Sequence, residues 1–149
     1  MKKINIKKLI INIAVPVALG FVVGMIIKDY IPIYKTLNKP LLSPPSILFP
    51  IVWTILYIVM GISYYLAGNE DTKKIYYAQL IVNLLWSIFF FVLRWYLFSF
   101  IWLLLLLYLI IVMMKKFYKY NELSSYLLIP YLIWVTFAGY LNLSIFLLN

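Results

Sequence analysis

The sequence predicts an all-α membrane protein, a compact bundle of five transmembrane helices built as one domain over residues 1–149. Three observations predict it. Hydrophobic residues make up 66% of the chain and charged residues 11%, against about 45–50% and 25% in a soluble domain. Five uncharged apolar stretches of 18 to 22 residues take up 98 of the 149 positions, and about 20 apolar residues cross a hydrocarbon core of about 30 Å. A helix satisfies all of its backbone polar groups internally, as lipid demands.

Helix 1 is expected over Leu9–Ile27, behind Lys2, Lys3, Lys7 and Lys8. Its 19 apolar residues exceed the roughly 7–15 of a signal-peptide core, and no small-x-small cleavage site closes it, so it is read as a retained span. Gly20-Phe-Val-Val-Gly24 has the GxxxG spacing that lets helices approach closely, either in a homodimer or inside one bundle. Residues 28–46 follow as a loop of 19 residues holding Pro32, Pro40, Pro44 and Pro45. A loop of that length is either a lid or binding element or a plain solvated connector.

Helix 2 is expected over Ile47–Leu66, with Trp53, Tyr57, Met60 and Tyr64 on one face. Helix 3, Ile75–Leu93, carries Gln79, Asn83, Trp86 and Phe90 at spacings of 4, 3 and 4, again one face. Helix 4 runs Leu97–Met114; Trp95 and Trp102 near its start read as an interfacial aromatic belt. Helix 5, Leu127–Leu148, repeats the inward pattern with Trp134, Ala138, Leu141 and Ile145, and Asn142 beside them. The plainest account of the Asn and Gln residues is bonding between helices, worth about 0.6–2 kcal/mol each.

The net charge of +9 does not point to nucleic acid, because the basic residues lie between apolar runs and not on a polar folded surface. Nine Lys and Arg residues fall on the N-terminal side of the spans and four on the other. The positive-inside rule therefore puts the N-terminus in the cytoplasm and the C-terminus outside. A composition rich in Ile, Lys, Tyr and Asn fits a bacterial cytoplasmic membrane.

The chain has no Cys and no His, and all four acidic residues lie outside the apolar stretches. Thiol chemistry, imidazole bases, paired carboxylates and the usual zinc and haem ligands are thereby excluded, and no metal site is expected. No charge inside a span and no internal repeat means no proton relay and no alternating-access halves.

Four stretches in order, Asn38-Lys-Pro-Leu-Leu-Ser-Pro-Pro45, Phe49-Pro-Ile-Val-Trp-Thr-Ile-Leu-Tyr57 with Met60-Gly61, Gln79 to Phe90, and Pro130 to Asn142, give the chain its likeness to a known family. It resembles the translocator protein family, also called the tryptophan-rich sensory protein or peripheral-type benzodiazepine receptor family, over nearly its whole length. The resemblance implies a ligand cavity opening toward the loop after helix 1. It also implies porphyrin ligands, including protoporphyrin IX and haem, isoquinoline and benzodiazepine-type compounds, and cholesterol in animals.

By that resemblance Trp53 and Trp134 face each other across the cavity, Asn83 is its polar contact, Phe90 and Ala138 are apolar walls, and Pro40, Pro44 and Pro45 belong to the lid. Tyr57, Trp86 and Asn142 share the same inward faces, and Tyr30, preferred over Tyr34, is the lid tyrosine. The family's lid tryptophan has no counterpart between Lys28 and Pro45. No Lys or Arg follows Tyr140, so the animal cholesterol motif is absent there. A reversed arrangement at Lys116, Tyr118 and Leu123 is too loose a pattern to carry a reading.

The functional expectation is a tetrapyrrole receptor or sensor with no obligatory cofactor. Indoles would stack on the flat ring, and Lys39 or Lys35 would meet its propionates. Without imidazole or thiolate ligands for iron, metal-free porphyrin should bind at least as well as haem. The alternatives are light-dependent degradation of protoporphyrin, with Trp53 and Trp134 beside the excited ring, and hand-over of porphyrin or lipid across the membrane.

Overall fold

The computed structural model describes residues 3–149; Lys2, counted above among the N-terminal lysines, lies outside them. Among the described residues every regular element is helical: α1 (Ile6–Ile27), α2 (Ile31–Thr36), α3 (Leu48–Ala67), α4 (Glu70–Ser87), α5 (Tyr96–Tyr120), α6 (Glu122–Leu127) and α7 (Ile129–Leu148). These group into five units long and apolar enough to cross a membrane.

The helices run beyond the apolar stretches because a charged residue ends contact with hydrocarbon without ending a helix. α4 starts at Glu70, five positions before Ile75, since Asn69 and Thr72 form a reciprocal capping box and Glu70 and Asp71 sit in the first turn, where acids suit the helix dipole. α5 continues to Tyr120, and Asn121 caps the short α6 that leads through Leu128 into α7.

The largest departure concerns residues 28–46. Lys28–Tyr30 form a 3-10 turn that passes straight into α2, so the first nine residues expected as loop are helical. Pro32 lies in the first turn of α2, where its missing N–H is not needed. Only residues 37–47 stay irregular, with Leu42 in the left-handed region at φ 71°. The Tyr140 hydroxyl donates to the Leu41 carbonyl at 2.8 Å, and Asn38 exchanges hydrogen bonds with Asn149, which ties this segment to the end of α7.

α1 and α3 pack closely enough that a Cβ at Gly61 would fall on the backbone of Asn12 and Ile13. α5 forms the other spine. Leu103, Leu106, Ile110, Met113 and Phe117 are all fully buried, a 3-and-4 spacing that makes one seam against α4, α6 and α7. Its opposite face exposes Ile101, Leu104, Tyr108 and Ile111 to the surroundings, as lipid contact requires.

α4 ends in a single π turn, Ile88–Val92, where the Leu93 N–H reaches the Ile88 carbonyl at 3.0 Å. The wider turn inserts a residue, and both Phe90 and Phe91 are buried as a result.

Candidate functional site

A cavity of about 610 Å³ lies between α1, α3 and the C-terminal end of α4, with α2 beside its mouth. That is within the usual size of small-molecule sites. Gly20, Tyr34, Phe49, Trp53, Tyr57, Trp86 and Phe91 line it, and the exposed Lys28 and Lys35 border it. The wall is therefore aromatic and the rim cationic.

The aromatic wall is rigid because its rings pack on one another. Trp53 stacks on Tyr57 at 5.7 Å between centroids and stands 6.5 Å from Trp86, which stacks in turn on Phe90 at 5.2 Å. Tyr34 meets Phe49 edge-on at 5.9 Å and Phe91 at 5.6 Å. Such contacts add about 0.5–1.5 kcal/mol each beyond the area they bury.

Gly20 and Gly24 resolve differently. A Cβ at Gly20 would land on the Tyr57 ring, whereas one at Gly24 would meet nothing within 4 Å. Both glycines line the cavity. In this fold the GxxxG face admits the Tyr57 ring and keeps open space beside it.

Behind the wall runs a buried chain of hydrogen bonds. The Tyr57 hydroxyl donates to Asn83 Oδ1 at 2.7 Å, Asn83 Nδ2 donates to the Tyr131 hydroxyl at 2.8 Å, and that hydroxyl donates to Gln79 Oε1 at 2.7 Å. Gln79 Nε2 ends the chain on the Met60 sulfur at 3.6 Å. A second link runs from Trp86 Nε1 to Asn142 Oδ1 at 3.0 Å, and from Asn142 Nδ2 to the Tyr96 carbonyl at 2.7 Å. The amides of helices 3 and 5 thus join helix to helix.

Of the residues singled out in the sequence, Trp53, Tyr57 and Trp86 line the cavity together. Asn83 lies behind Tyr57 with both ends of its amide bonded, Phe90 lies under Trp86, and Asn142 holds the Trp86 indole from behind. Trp134 does not line the cavity: it packs on Phe49 at 5.8 Å, and its Nε1 is buried without a hydrogen-bond partner among the described residues. Ala138 is buried but is not part of the lining.

The lid segment also differs from expectation. Tyr34, and not Tyr30, reaches the cavity, because the helical turn at Lys28–Tyr30 rotates the chain and leaves Tyr34 buried. Lys39 turns away. Its ammonium donates to the carbonyls of Lys35 and Leu37 at 3.0 and 3.1 Å and sits 5.2 Å from the Tyr34 ring centre, so it caps the end of α2. Pro44 and Pro45 lead into α3, where the Leu48 N–H bonds the Pro45 carbonyl at 3.0 Å, and neither lines the cavity. Sequence reasoning missed Phe49 and Phe91; the first lay inside a quoted motif, while the second depends on the π turn.

The comparisons with known proteins agree with this architecture. The model of the TspO/MBR family matches residues 12–148. The chain is 36% identical to the tryptophan-rich protein TspO of Chlorobaculum tepidum, over 95% of this chain and 98% of that one. It is 35% identical to the tryptophan-rich protein TspO of Archaeoglobus fulgidus, over 97% and 99%. It is 33% identical to the translocator protein of Homo sapiens, over 73% and 70%. With the five spans and a family match across nearly the full length, the chain is an integral membrane protein and belongs to the TspO/MBR family.

Proposed function

We propose that this protein is a membrane receptor for flat apolar ligands, protoporphyrin IX with its two propionates foremost and uncharged isoquinoline or benzodiazepine-type compounds beside it. The observation that carries this reading is the cavity formed by Trp53, Tyr57 and Trp86 with Lys28 and Lys35 at its rim. Stacked indoles offer broad apolar faces to a planar ring, and two ammonium groups suit the propionates along one edge. Haem is a second ligand of the same shape, held by the same faces, in a chain without His or Cys to ligate its iron. The count of Lys and Arg orients the N-terminus to the cytoplasm, which turns the cavity mouth outward.

The test is a titration of protoporphyrin IX into the purified protein in nanodiscs, in the dark, following tryptophan quenching. Saturable quenching is expected, weakened more by Trp53→Phe than by Trp134→Phe, because Trp53 lines the cavity and Trp134 does not. Absence of saturable quenching, or affinity unchanged in Trp53→Phe, overturns the reading.

The pairing of Trp53 and Trp86 beside one cavity also favours light-driven loss of bound protoporphyrin, with dioxygen as oxidant and the protein supplying position. Equal bleaching rates under light in wild type and in the Trp53→Phe, Trp86→Phe double variant exclude a part for those indoles.

A further inference from the structure

At the opposite end of the bundle from the ligand cavity, α5 and the bend between α6 and α7 leave a shallow surface groove of about 360 Å³. Ile111, Met114, Lys115 and Tyr118 contribute one face of α5, and Ser125 and Leu132 face them across the bend. The groove exists because α6 stops at Leu127 and α7 restarts at Ile129 with Pro130 in its first turn. The Ser125 hydroxyl is turned inward, donating to the Met114 carbonyl at 2.9 Å, so the floor presented outward is apolar.

We propose that this groove is a binding site for one anionic phospholipid, with an acyl chain lying along Ile111, Met114 and Leu132 and the phosphate held by Lys115. Depth supports it: Lys115 lies one turn from Ile111, about 6 Å along the axis, so the polar end of the groove meets the headgroup layer when the apolar end meets the chains. The surrounding surface is apolar and outward, with Ile111, Leu123, Tyr126 and Ile129 exposed.

Charge supports it too. Lys116 is engaged by Asp71 at 3.7 Å, and that carboxylate also accepts from the Tyr120 hydroxyl at 2.6 Å. Lys115 points to the other side of α5 and makes no ion pair among the described residues. Glu122, in the first turn of α6, faces the Tyr118 hydroxyl at the rim of the groove, and the helix N-terminus offsets its charge. A basic group above an apolar groove between helices suits an anionic headgroup. A second copy of the chain suits it less, because a two-fold contact on this face would set Lys115 against its own counterpart.

The experiment is native mass spectrometry of the full chain released from bilayers of equal phosphatidylglycerol and phosphatidylcholine with matched acyl chains, with the thermal midpoint of each variant measured in parallel. Wild type is expected to retain phosphatidylglycerol in preference to phosphatidylcholine. Lys115→Gln should cut that retention about five-fold, while Lys8→Gln, an equal charge change on α1 at the same end, should leave it within about two-fold. Leu132→Trp, which fills the groove, should reduce retention of both lipids; if it also lowers the midpoint, the comparison of Lys115→Gln with Lys8→Gln decides. Equal retention of the two lipids by wild type, equal loss in the two lysine variants, or a lipid-free dimer that dissociates in Lys115→Gln each overturns the proposal.

Discussion

The hydroxyl of Tyr57 donates a 2.7 Å hydrogen bond to the side-chain oxygen of Asn83, so a ring on the cavity wall is anchored to the middle of α4. Asn83 passes the connection on to Tyr131 and Gln79, and every polar group in that chain is buried. Tyr57→Phe removes one donor and is expected to cost about 1 kcal/mol. Asn83→Ala removes the shared partner of two tyrosines and should cost about 2 kcal/mol. Reversible unfolding in mixed micelles measures both, and equal costs would contradict the linear chain.

The glycine pair gives a test of cavity shape. Gly20→Ala sets a methyl group against the Tyr57 ring, whereas Gly24→Ala adds one in open space. The first should weaken protoporphyrin binding about ten-fold by displacing the wall, at about 1–3 kcal/mol of overpacking strain. The second should leave affinity within about two-fold. Titration of the two variants side by side reads the difference.

Rim charge predicts ligand selectivity. Lys28 and Lys35 border the cavity while Lys39 is held by the carbonyls at the end of α2. Replacing Lys28 and Lys35 together by Gln should weaken binding of protoporphyrin by a few-fold, since exposed ion pairs contribute about 0–1 kcal/mol each. Binding of its dimethyl ester should be unchanged. Lys39→Gln should instead lower the thermal midpoint slightly with the selectivity kept.

The contact of α1 with α3 has almost no slack at Gly61, where an added Cβ meets backbone atoms of Asn12 and Ile13. Backbone yields less readily than a side chain. Gly61→Ala is therefore expected to destabilise the bundle by about 1–3 kcal/mol, more than Gly24→Ala, in the same unfolding assay.

Sidedness is open to a direct test, because the chain has no cysteine of its own. A membrane-impermeant maleimide applied to intact bacterial cells should label Lys35→Cys and spare Lys119→Cys, with both labelled after lysis. The reverse pattern would put the cavity mouth in the cytoplasm.

Hydropathy and helical periodicity were enough to give the five spans, their order and their inward faces, because a hydrocarbon solvent punishes any other placement of apolar and charged residues. The periodicity of Trp53 and Tyr57 on helix 2, and of Asn83 and Trp86 on helix 3, named the side chains that meet. Periodicity gives the face of a helix and not the neighbour that face will meet. Only packing decided that Tyr34 enters the cavity ahead of Tyr30, that Lys39 turns back on α2, and that Phe49, with Trp134 packed on it, lines the space beside Trp53. The place of Tyr34 follows a 3-10 turn at Lys28–Tyr30, and the entry of Phe91 into the cavity wall follows a π turn at Ile88–Val92. Each rotates the residues beyond it, and neither carries a residue pattern that an ordinary helix would not also accept.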